Sequence, residues 1–303
     1  MKILITGATG LIGSAIVKQC HDKNIPVHYL TTSKHKLKND PLYKGFYWNP
    51  ENGEIDTSCF EGVETIINLS GAIISQRWTK KHKKEILESR VKALTVLRNA
   101  LSKQNHQVKH LISASGIGAY PTSLTNYYDE SYPATSETFL GRVVREWEEA
   151  ANSFDALGIK TAKLRIGLVL SNKGGALAEM VKPINFFVGA AFGNGEQWQS
   201  WIHINDLAHL FVFVMEHQLE GIYNAVAPNP VTNSELTKSI AKTLSKPLFL
   251  PNIPRGIMKL ILGDMHLLLF ESQRVCSKKI ENKGFHFKYH HLESALMNLL
   301  VND

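Results

Sequence analysis

The sequence predicts an α/β fold: a doubly wound parallel sheet with a smaller, partly helical C-terminal lobe. Through about residue 170, short apolar segments alternate with amphipathic helical patterns, which is typical of a parallel sheet covered by helices on both faces. The first apolar segment runs directly into a glycine-rich turn that opens a helical pattern. From about residue 174 the alternation weakens, and Pro, Gly and aromatic residues become frequent. We therefore predict a Rossmann-type domain over residues 1–173, rejoined by a segment at about 200–230, and a smaller lobe over residues 174–303 that roofs a pocket.

The individual elements follow from local patterns. Phe139, Val143, Trp147 and Ala151 fall four apart, so TFLGRVVREWEEAA (138–151) is predicted to be a helix with one apolar face. The Asn-Pro and Asn-Gly pairs of YWNPENGEID predict a turn or hairpin. The predicted strands are 2–6, 27–32, 64–69, 108–115 and 159–170, and the predicted helices are 11–23, 79–101 and 138–151.

The glycine-rich turn GATGLIG (7–13) lies between the first predicted strand and the first predicted helix. Glycines at this spacing let the main chain approach a pyrophosphate, and the helix start offers unpaired N–H groups and the positive end of a dipole. The motif predicts a nicotinamide dinucleotide, and the alternative is a tight turn without a ligand. The predicted contacts are Gly7, Thr9, Gly10, Leu11, Ile12 and Gly13.

The end of the second predicted strand bears on which dinucleotide binds. An acidic residue there would accept hydrogen bonds from the ribose 2′-hydroxyl and repel a 2′-phosphate. The sequence reads YLTTSKHKLK, with hydroxyls at Thr31, Thr32 and Ser33, cations at Lys34 and Lys36, and no acid. This composition favours NADP(H) over NAD(H), although an arginine fork for the phosphate is absent.

Bulk composition restricts the class of protein. The chain has 303 residues, of which 44% are hydrophobic, enough for a large buried core. Its three scattered cysteines favour neither a disulfide framework nor a metal site, and the N-terminus lacks the apolar core of a signal peptide. We therefore expect a cytoplasmic protein with a small-molecule substrate, no metal and no membrane partner, as a monomer or homodimer.

The net charge of +7 leaves room for an anionic partner. Its densest cluster is Lys80, Lys81, Lys83 and Lys84. A solvated helix face explains such a cluster better than a nucleic-acid site, because no aromatic residues alternate with the basic ones.

With these pieces placed, the chain resembles the short-chain dehydrogenase/reductase superfamily, and within it an atypical branch of epimerase-family, sugar-nucleotide-epimerase-like proteins. Besides GATGLIG, the resemblance covers YWNPENGEID, INLSGAIISQRW, KKEILESRV, QWQSWIHINDL and YNAVAPNPVTNSEL. The segment LILGDMHLLLFESQRVCSKKIENKGFHF is similar to the small C-terminal domain of this branch, expected here over about residues 247–297.

The resemblance implies further cofactor contacts. Thr31 and Thr32 would border the adenosine ribose, and Val169 would lie near the nicotinamide. On the long helix, Glu85 and Arg90 match positions that approach NADP, and a surface ion pair is their alternative role. The cofactor's middle would pass Leu69, Ser70 and Gly71.

The proton-handling pair usual in the superfamily is missing. A tyrosine acts there as general acid/base, with a lysine four residues on that lowers its pKa and a serine that polarises the substrate oxygen. Ser115 matches the serine, but no Tyr-x-x-x-Lys occurs in the chain, and the expected positions hold Phe139 and Val143, or Thr138 and Arg142. Tyr120 is a candidate substitute, with a packed or loop-capping tyrosine as the alternative.

Two residue pairs of QWQSWIHINDL also have two interpretations. His203 is a candidate proton carrier, but a histidine and aspartate that fix a loop and cap the next helix are favoured for His203 and Asp206. Trp198 and Trp201 are candidates for stacking on a substrate or for core packing.

Two functions remain open besides nucleic-acid binding. The first is an NADP(H)-dependent oxidoreductase or epimerase-like enzyme acting on a small carbonyl, hydroxyl or nucleotide-sugar substrate, with catalytic Ser115 and Tyr120. The second is a non-catalytic NADP-binding regulatory or sensor protein, favoured by the missing pair.

Overall fold

The central element of the computed structural model, which describes residues 1–132 and 136–301, is a nine-stranded sheet. Seven of its strands are parallel, and two short strands pair antiparallel with one of them. The spatial order of the seven parallel strands is β3-β2-β1-β4-β5-β6-β7. Strands β2 and β3 are added on one side of β1 and strands β4 to β7 on the other, so the strand order switches between β1 and β4. A switch of this kind opens a crevice at the carboxyl ends of the two strands. The strands are β1 (Lys2–Thr6), β2 (Val27–Thr31), β3 (Tyr43–Asn49), β4 (Val63–Asn68), β5 (His110–Gly116), β6 (Lys160–Ile166) and β7 (Gly221–Ala225).

Helices cover both faces of this sheet. Two of them, α1 and α5, pack together on one face, and α2 and α3 pack together on the other. The helices are α1 (Leu11–Asp22), α2 (Lys80–Leu101), α3 (Phe139–Asn152), α4 (Ala176–Asn185), α5 (Ile204–Glu216), α6 (Asn233–Thr243), α7 (Arg255–Leu262), α8 (Leu267–Phe270), α9 (Lys278–Glu281) and α10 (Leu292–Leu300). Short 3₁₀ turns span Lys34–Lys36, Thr57–Phe60, Ile117–Ala119, Ser153–Leu157 and Gly263–His266.

The larger hydrophobic core lies on both sides of the sheet. All five residues of β2 are buried, as expected for a strand covered on two faces. A second core forms where α4, α6 and α10 meet, around Leu177, Ile240 and Leu296. Ile12 and Val169 pack against both cores, so the start of α1 lies at the seam between them.

Short strands join the C-terminal segment to the loops above the sheet. Arg274–Val275 pairs in parallel with Tyr127–Tyr128. Ser272 strengthens this contact, because its carbonyl accepts from the Ser123 N–H at 2.8 Å and its hydroxyl donates to the Ser123 carbonyl at 2.8 Å. The remaining short strands are Asn39–Asp40, Glu54–Ile55, Leu168–Leu170, Trp198–Gln199, Trp201–His203 and Val231–Thr232.

The predicted α/β class with a doubly wound parallel sheet is confirmed, but two elements differ from expectation. The hairpin predicted in YWNPENGEID is present, with Trp48 paired to Ile55, yet its first arm is also the parallel edge strand β3, which was not predicted. The strand predicted over 159–170 divides at Gly167, where an added Cβ would lie 2.1 Å from the Ser200 carbonyl oxygen. Beyond this close approach, Leu168–Leu170 leaves the main sheet and pairs with Trp201–His203.

No helix within residues 1–132 and 136–301 combines the length and the apolar character that a membrane span requires.

His110 should make stability depend on pH. It is fully buried, its Nε2 lies 2.8 Å from the Leu219 carbonyl, and its Nδ1 has no hydrogen-bond partner among the described residues. Burial lowers the pKa of His110 below its ordinary value of 6.5, despite the opposing effect of the Leu219 carbonyl. The unfolded chain therefore binds more protons than the folded one, and the free energy of unfolding should fall as pH drops through about 6.5, at up to about 1.4 kcal/mol per pH unit.

The measurement is the urea unfolding free energy between pH 7.5 and 5.5 for the native chain and His110→Gln. The variant should lose less stability on acidification, whereas His286→Gln, at an exposed position, should behave like the native chain. An identical pH slope in the native chain and His110→Gln would contradict the assignment.

Candidate functional site

The crevice above β1 and β4 begins with the glycine-rich turn. Gly7 has a φ of +73°, and its carbonyl accepts from the Gly10 N–H at 3.0 Å. An added Cβ at Gly13 would lie 2.2 Å from the Gly7 carbonyl oxygen, so only glycine permits α1 to start this close to the turn. Gly10 precedes α1 without a side-chain cap, which leaves the helix N–H groups directed toward an anion in the crevice. Thr9 and Gly10 are exposed at its edge.

A chain of buried polar side chains fixes the opposite wall of the crevice. The Thr6 hydroxyl donates to Asn68 Oδ1 at 2.8 Å and accepts from the N–H groups of Leu69 and Ser70 at 3.1 and 3.2 Å. Asn68 Nδ2 in turn donates to Ser113 Oγ at 3.2 Å. The predicted segment of Leu69, Ser70 and Gly71 is thereby held beside the turn, with Leu69 backbone and Cβ atoms 3.3 Å from where a Gly7 Cβ would be.

Arg90 lies beneath this segment. It is 6% exposed, donates through Nη1 to the carbonyls of Ile86 at 2.7 Å and Ala72 at 3.3 Å, and lies 4.9 Å from the Trp147 ring centre. Burial lowers the pKa of Arg90 to about 10. An added Cβ at Gly71 would lie 2.8 Å from the guanidinium carbon, so Arg90 supports the loop backbone from below.

Glu85 lies apart from Arg90, on the rim. Its carboxylate is exposed and lies 3.1 Å from Nδ1 of His82, whose Nε2 contacts the Ile73 carbonyl at 2.8 Å. Glu85 thus pairs with His82 and not with Arg90. The residues that connect α2 to the loop after β4 are His82 and Arg90.

The far end of the crevice begins at the carboxyl end of β2. Thr31 is buried, and its hydroxyl accepts from the Ser33 N–H at 3.2 Å, whereas Thr32 is exposed. Lys34 is also exposed and lies 5.0 Å from the Tyr47 ring centre. The residues that follow β2 thus present hydroxyls and a cation and no carboxylate.

Ser115 belongs to a buried ion-pair network. Its hydroxyl donates to Glu148 Oε1 at 2.6 Å, and Arg165 donates to both carboxylate oxygens, from Nε at 2.8 Å and from Nη2 at 2.9 Å. The helix predicted over 138–151 has Glu148 outside its apolar face, and Arg165 was not predicted as a site residue. The available signal was an arginine inside the apolar strand KLRIGLVL, since a buried arginine requires a carboxylate partner.

Tyr120 occupies the position of a packed tyrosine. It is 0% exposed, its hydroxyl donates to Asn224 Oδ1 at 2.8 Å, and its ring is stacked on that of Tyr128. Burial raises the pKa of Tyr120 to about 12, although Arg165, 5.0 Å from its ring centre, opposes the shift. A hydroxyl that is both buried and bonded to an amide favours the packing alternative.

The histidine of WIHIND caps helix α5, and the aspartate binds the backbone of a C-terminal loop. His203 Nδ1 accepts from the Asn205 N–H at 3.0 Å at the start of α5, and Asp206 accepts from the N–H groups of Lys288 and Tyr289. Their favoured structural role is confirmed. Trp201 is fully buried in the second core, which confirms its packing role, while Trp198 donates to the Leu124 carbonyl at 2.9 Å.

The start of α3, where the resemblance locates the missing pair, carries no phenol and no amine. Thr138 caps the helix by accepting from the Gly141 N–H at 3.2 Å, and Phe139 packs edge-on against Trp78. A carboxyl group reaches this place from the C-terminal segment instead. Gln273 Nε2 lies 3.5 Å from Glu271 Oε2, and Thr138 is near enough to lower the pKa of the Glu271 carboxyl. Burial raises the pKa of Glu271, and these two hydrogen bonds only partly oppose the shift.

Two of the four lysines in the basic cluster on α2 pair with neighbouring carboxylates. Lys83 pairs with Asp264 at 2.6 Å, and Lys84 pairs with Glu88 at 3.5 Å. These contacts favour the solvated helix face over a nucleic-acid surface.

Comparison with known proteins agrees with this geometry. Residues 3–225 match the NAD dependent epimerase/dehydratase family. The chain belongs to this family. Residues 253–299 match a domain of unknown function, DUF1731. An epimerase family protein of Staphylococcus haemolyticus is 33% identical over 300 residues, which cover 99% of each chain. The resemblance to the epimerase-family branch, with its own C-terminal domain, is therefore confirmed.

Two solved structures are similar over the whole chain. The human epimerase family protein SDR39U1 (isoform 2), determined with NADPH, superposes with a TM-score of 0.86 at 26% identity, covering 100% of both chains. A nucleoside-diphosphate sugar epimerase of Corynebacterium glutamicum superposes with a TM-score of 0.79 at 28% identity, and the present chain covers 59% of its length.

Replacing Thr6 should test the polar wall. Thr6→Val keeps the shape but leaves Asn68 Oδ1 and the Ser70 N–H without their hydroxyl partner, so the free energy of unfolding should fall by about 1–3 kcal/mol. Thr65→Val is a matched control, because the Thr65 hydroxyl is buried and finds no hydrogen-bond partner in the described part of the chain; this change should be neutral or stabilising. Urea unfolding measures both, and equal losses would contradict the proposed role of Thr6.

Proposed function

We propose that this protein is an NADP(H)-binding, epimerase-like oxidoreductase that acts on a small carbonyl, hydroxyl or nucleotide-sugar substrate. The observation that carries the proposal is the apposition of the uncapped start of α1 and the loop after β4 across the crevice. Gly7, Gly10 and Gly13 form one wall without side chains, and Leu69 to Gly71 form the other. Amide groups converging on a side-chain-free space fit a dinucleotide diphosphate.

Other residues that line the crevice fit the rest of the dinucleotide as well. Thr31 and Thr32 would border the adenosine ribose, Arg90 and Glu85 would hold the loop over its middle, and Val169, at the seam of the two cores, would border the nicotinamide. When bound, the nicotinamide supplies or accepts a hydride. The chain's own task is then to orient the substrate, exclude water and move a proton.

The preference for NADP(H) rests on charge. No carboxylate follows β2 through residue 38, whereas Ser33 and Lys34 offer a hydroxyl and an ammonium to a 2′-phosphate. The NADPH in the human relative supports the same preference.

Within this function we propose Glu271 as the proton-handling group. It interacts with Thr138, the residue that caps α3 where the superfamily's tyrosine is expected, and burial raises the pKa of its carboxyl. A carboxyl group with a raised pKa keeps its acid form to higher pH than an ordinary glutamate, and that form can donate a proton to a substrate oxygen. Ser115 and Tyr120 then have the structural roles that their hydrogen bonds to Glu148 and Asn224 indicate.

A non-catalytic NADP-binding sensor is the second candidate. It is favoured by the same two hydrogen bonds, which occupy the hydroxyls of Ser115 and Tyr120 inside the protein.

Cofactor binding tests the proposal first. Calorimetric titration should show NADPH binding at least about tenfold more tightly than NADH, a difference of about 1.4 kcal/mol. Ser33→Asp should weaken NADPH selectively and narrow this ratio, because a carboxylate repels the 2′-phosphate. Ser294→Asp, which adds the same charge at an exposed position on α10, should leave the ratio unchanged. Equal affinities in the native chain would refute the NADP preference, and binding of neither dinucleotide would refute the function.

Turnover tests the proton donor. Nicotinamide absorbance is followed with a panel of dicarbonyls, quinones and sugar nucleotides. Reduction should slow as pH rises through the raised pKa of Glu271, because the acid form is lost. Glu271→Gln should lower kcat by about 100-fold or more at unchanged NADPH affinity, and Tyr120→Phe should retain most activity.

A larger loss of kcat in Tyr120→Phe than in Glu271→Gln would instead indicate Tyr120 as the proton donor. Tight NADPH binding without turnover on any member of the panel would instead favour the sensor.

A further inference from the structure

Helix α7 has an apolar side that no other part of the described chain covers. Its sequence, RGIMKLIL, is strongly amphipathic, yet none of its residues is buried. Leu260 is 82% exposed, and Ile257 and Ile261 are also exposed. An amphipathic helix normally stabilises a protein by burying its apolar side, so an exposed one indicates contact with something else.

Two further apolar segments adjoin this helix. Phe186 is 78% exposed, and residues 187 and 188 beside it at the end of α4 are exposed too. Phe249 is 71% exposed and precedes α7 together with exposed Leu250. We call the exposed apolar side chains of residues 186–188, 249, 250, 257, 260 and 261 the apolar face.

Specific contacts bring these segments together. Lys246 Nζ lies 4.7 Å from the Phe187 ring centre. The Ile253 N–H donates to the Ala191 carbonyl at 2.8 Å, and the Gly193 N–H donates to the Ile253 carbonyl at 2.9 Å. The chain after α4 and the chain before α7 therefore run side by side.

Most of the charge in the segment that carries the apolar face is positive, and the exposed Asp264 that follows α7 pairs with Lys83 of α2. Residues 236–263 contain no Asp or Glu and carry five cations, Lys238, Lys242, Lys246, Arg255 and Lys259. On α7 itself, Arg255 and Lys259 lie on the polar side of the helix, opposite Ile257, Leu260 and Ile261. Protruding aromatic and aliphatic groups on a helix whose polar side is cationic are typical of a segment that lies in the interface of an anionic bilayer.

The same charge disfavours a second copy of this chain. A two-fold interface would oppose identical patches, so the cations of one protomer would face those of the other. An anionic surface instead complements them.

We propose that the apolar face binds the surface of a bilayer that contains anionic lipids. The apolar side chains enter the headgroup region, and the five cations lie at the level of the lipid phosphates. Such a peripheral contact needs no spanning helix, and it would overturn the sequence-based expectation of no membrane partner. It does not depend on the proposed enzymatic function.

Co-sedimentation of the full chain with vesicles tests the proposal. Vesicles of phosphatidylcholine with about one third phosphatidylglycerol should bind the protein, and the bound fraction should fall when salt is added. Vesicles of phosphatidylcholine alone should bind less of the protein than these anionic vesicles do. The double variant Phe249→Glu with Leu260→Glu, and the double variant Lys246→Glu with Lys259→Glu, should each lower the partition coefficient by about tenfold or more.

Matched controls place the same changes elsewhere. Leu37→Glu with Leu42→Glu changes exposed apolar residues beside the edge strand β3, and Lys103→Glu with Lys160→Glu changes exposed cations at the amino-terminal edge of the sheet. Both controls should bind vesicles like the native chain, and thermal melting checks that every variant is folded.

Three results would overturn the proposal. The first is no binding of the native chain to the anionic vesicles. The second is equal loss of binding in the control variants. The third is a dimer in sedimentation equilibrium that only the Phe249/Leu260 variant dissociates, without vesicle binding, which would assign the apolar face to a second copy.

Discussion

The missing side chain at Gly13 is the constraint on which the candidate site depends. Because a Cβ there would come within 2.2 Å of the Gly7 carbonyl oxygen, α1 can begin immediately below the turn after β1. The helix axis then ends at the crevice, with its first N–H groups uncapped by a side chain. The same closeness sets Ile12 and Ala15 against both hydrophobic cores, so the helix that offers its dipole to the crevice also joins the two parts of the molecule. Binding and packing are therefore consequences of one short contact.

Hydrogen bonds among the polar side chains of the sheet occupy the hydroxyl of Ser115, the residue that matches the superfamily's serine. Thr6, Asn68 and Ser113 are buried and bonded in sequence, and Ser115 is bonded to Glu148, which also pairs with Arg165. A buried polar group without a partner destabilises a fold, so each member of such a network restricts its neighbours. The Ser115 hydroxyl is held in place because it donates a hydrogen bond to the Glu148 carboxylate, which also pairs with Arg165.

The sequence predicted what is local and repetitive. The glycine turn, the β1–α1 unit and the helix at 138–151 follow from spacing alone, and their observed bounds differ from the predicted ones by a residue or so. β3 was missed because its aromatic residues do not alternate regularly and because Gly45 is needed against the Tyr29 ring, a contact between strands. Arg165 with Glu148, and Glu271 with Thr138, join residues far apart in the chain. Arg165 and Glu148 lie on different elements 17 residues apart, and Glu271 and Thr138 lie much farther apart, so the pairing of these residues is set by the three-dimensional fold.

The C-terminal segment connects the candidate site with the exposed helix α7. Hydrogen bonds between Ser272 and Ser123, and the pairing of Val275 with Tyr128, insert it between loops of the Rossmann part and the QWQSW segment. Once the segment is anchored there, Glu271 is carried inward to α3, while α7, a few residues earlier, stays outside with its apolar side exposed. The start of α3 carries no phenol and no amine of its own. In the proposed function its acid comes from this segment, which would make the chemistry of the crevice depend on a part of the chain outside the parallel sheet.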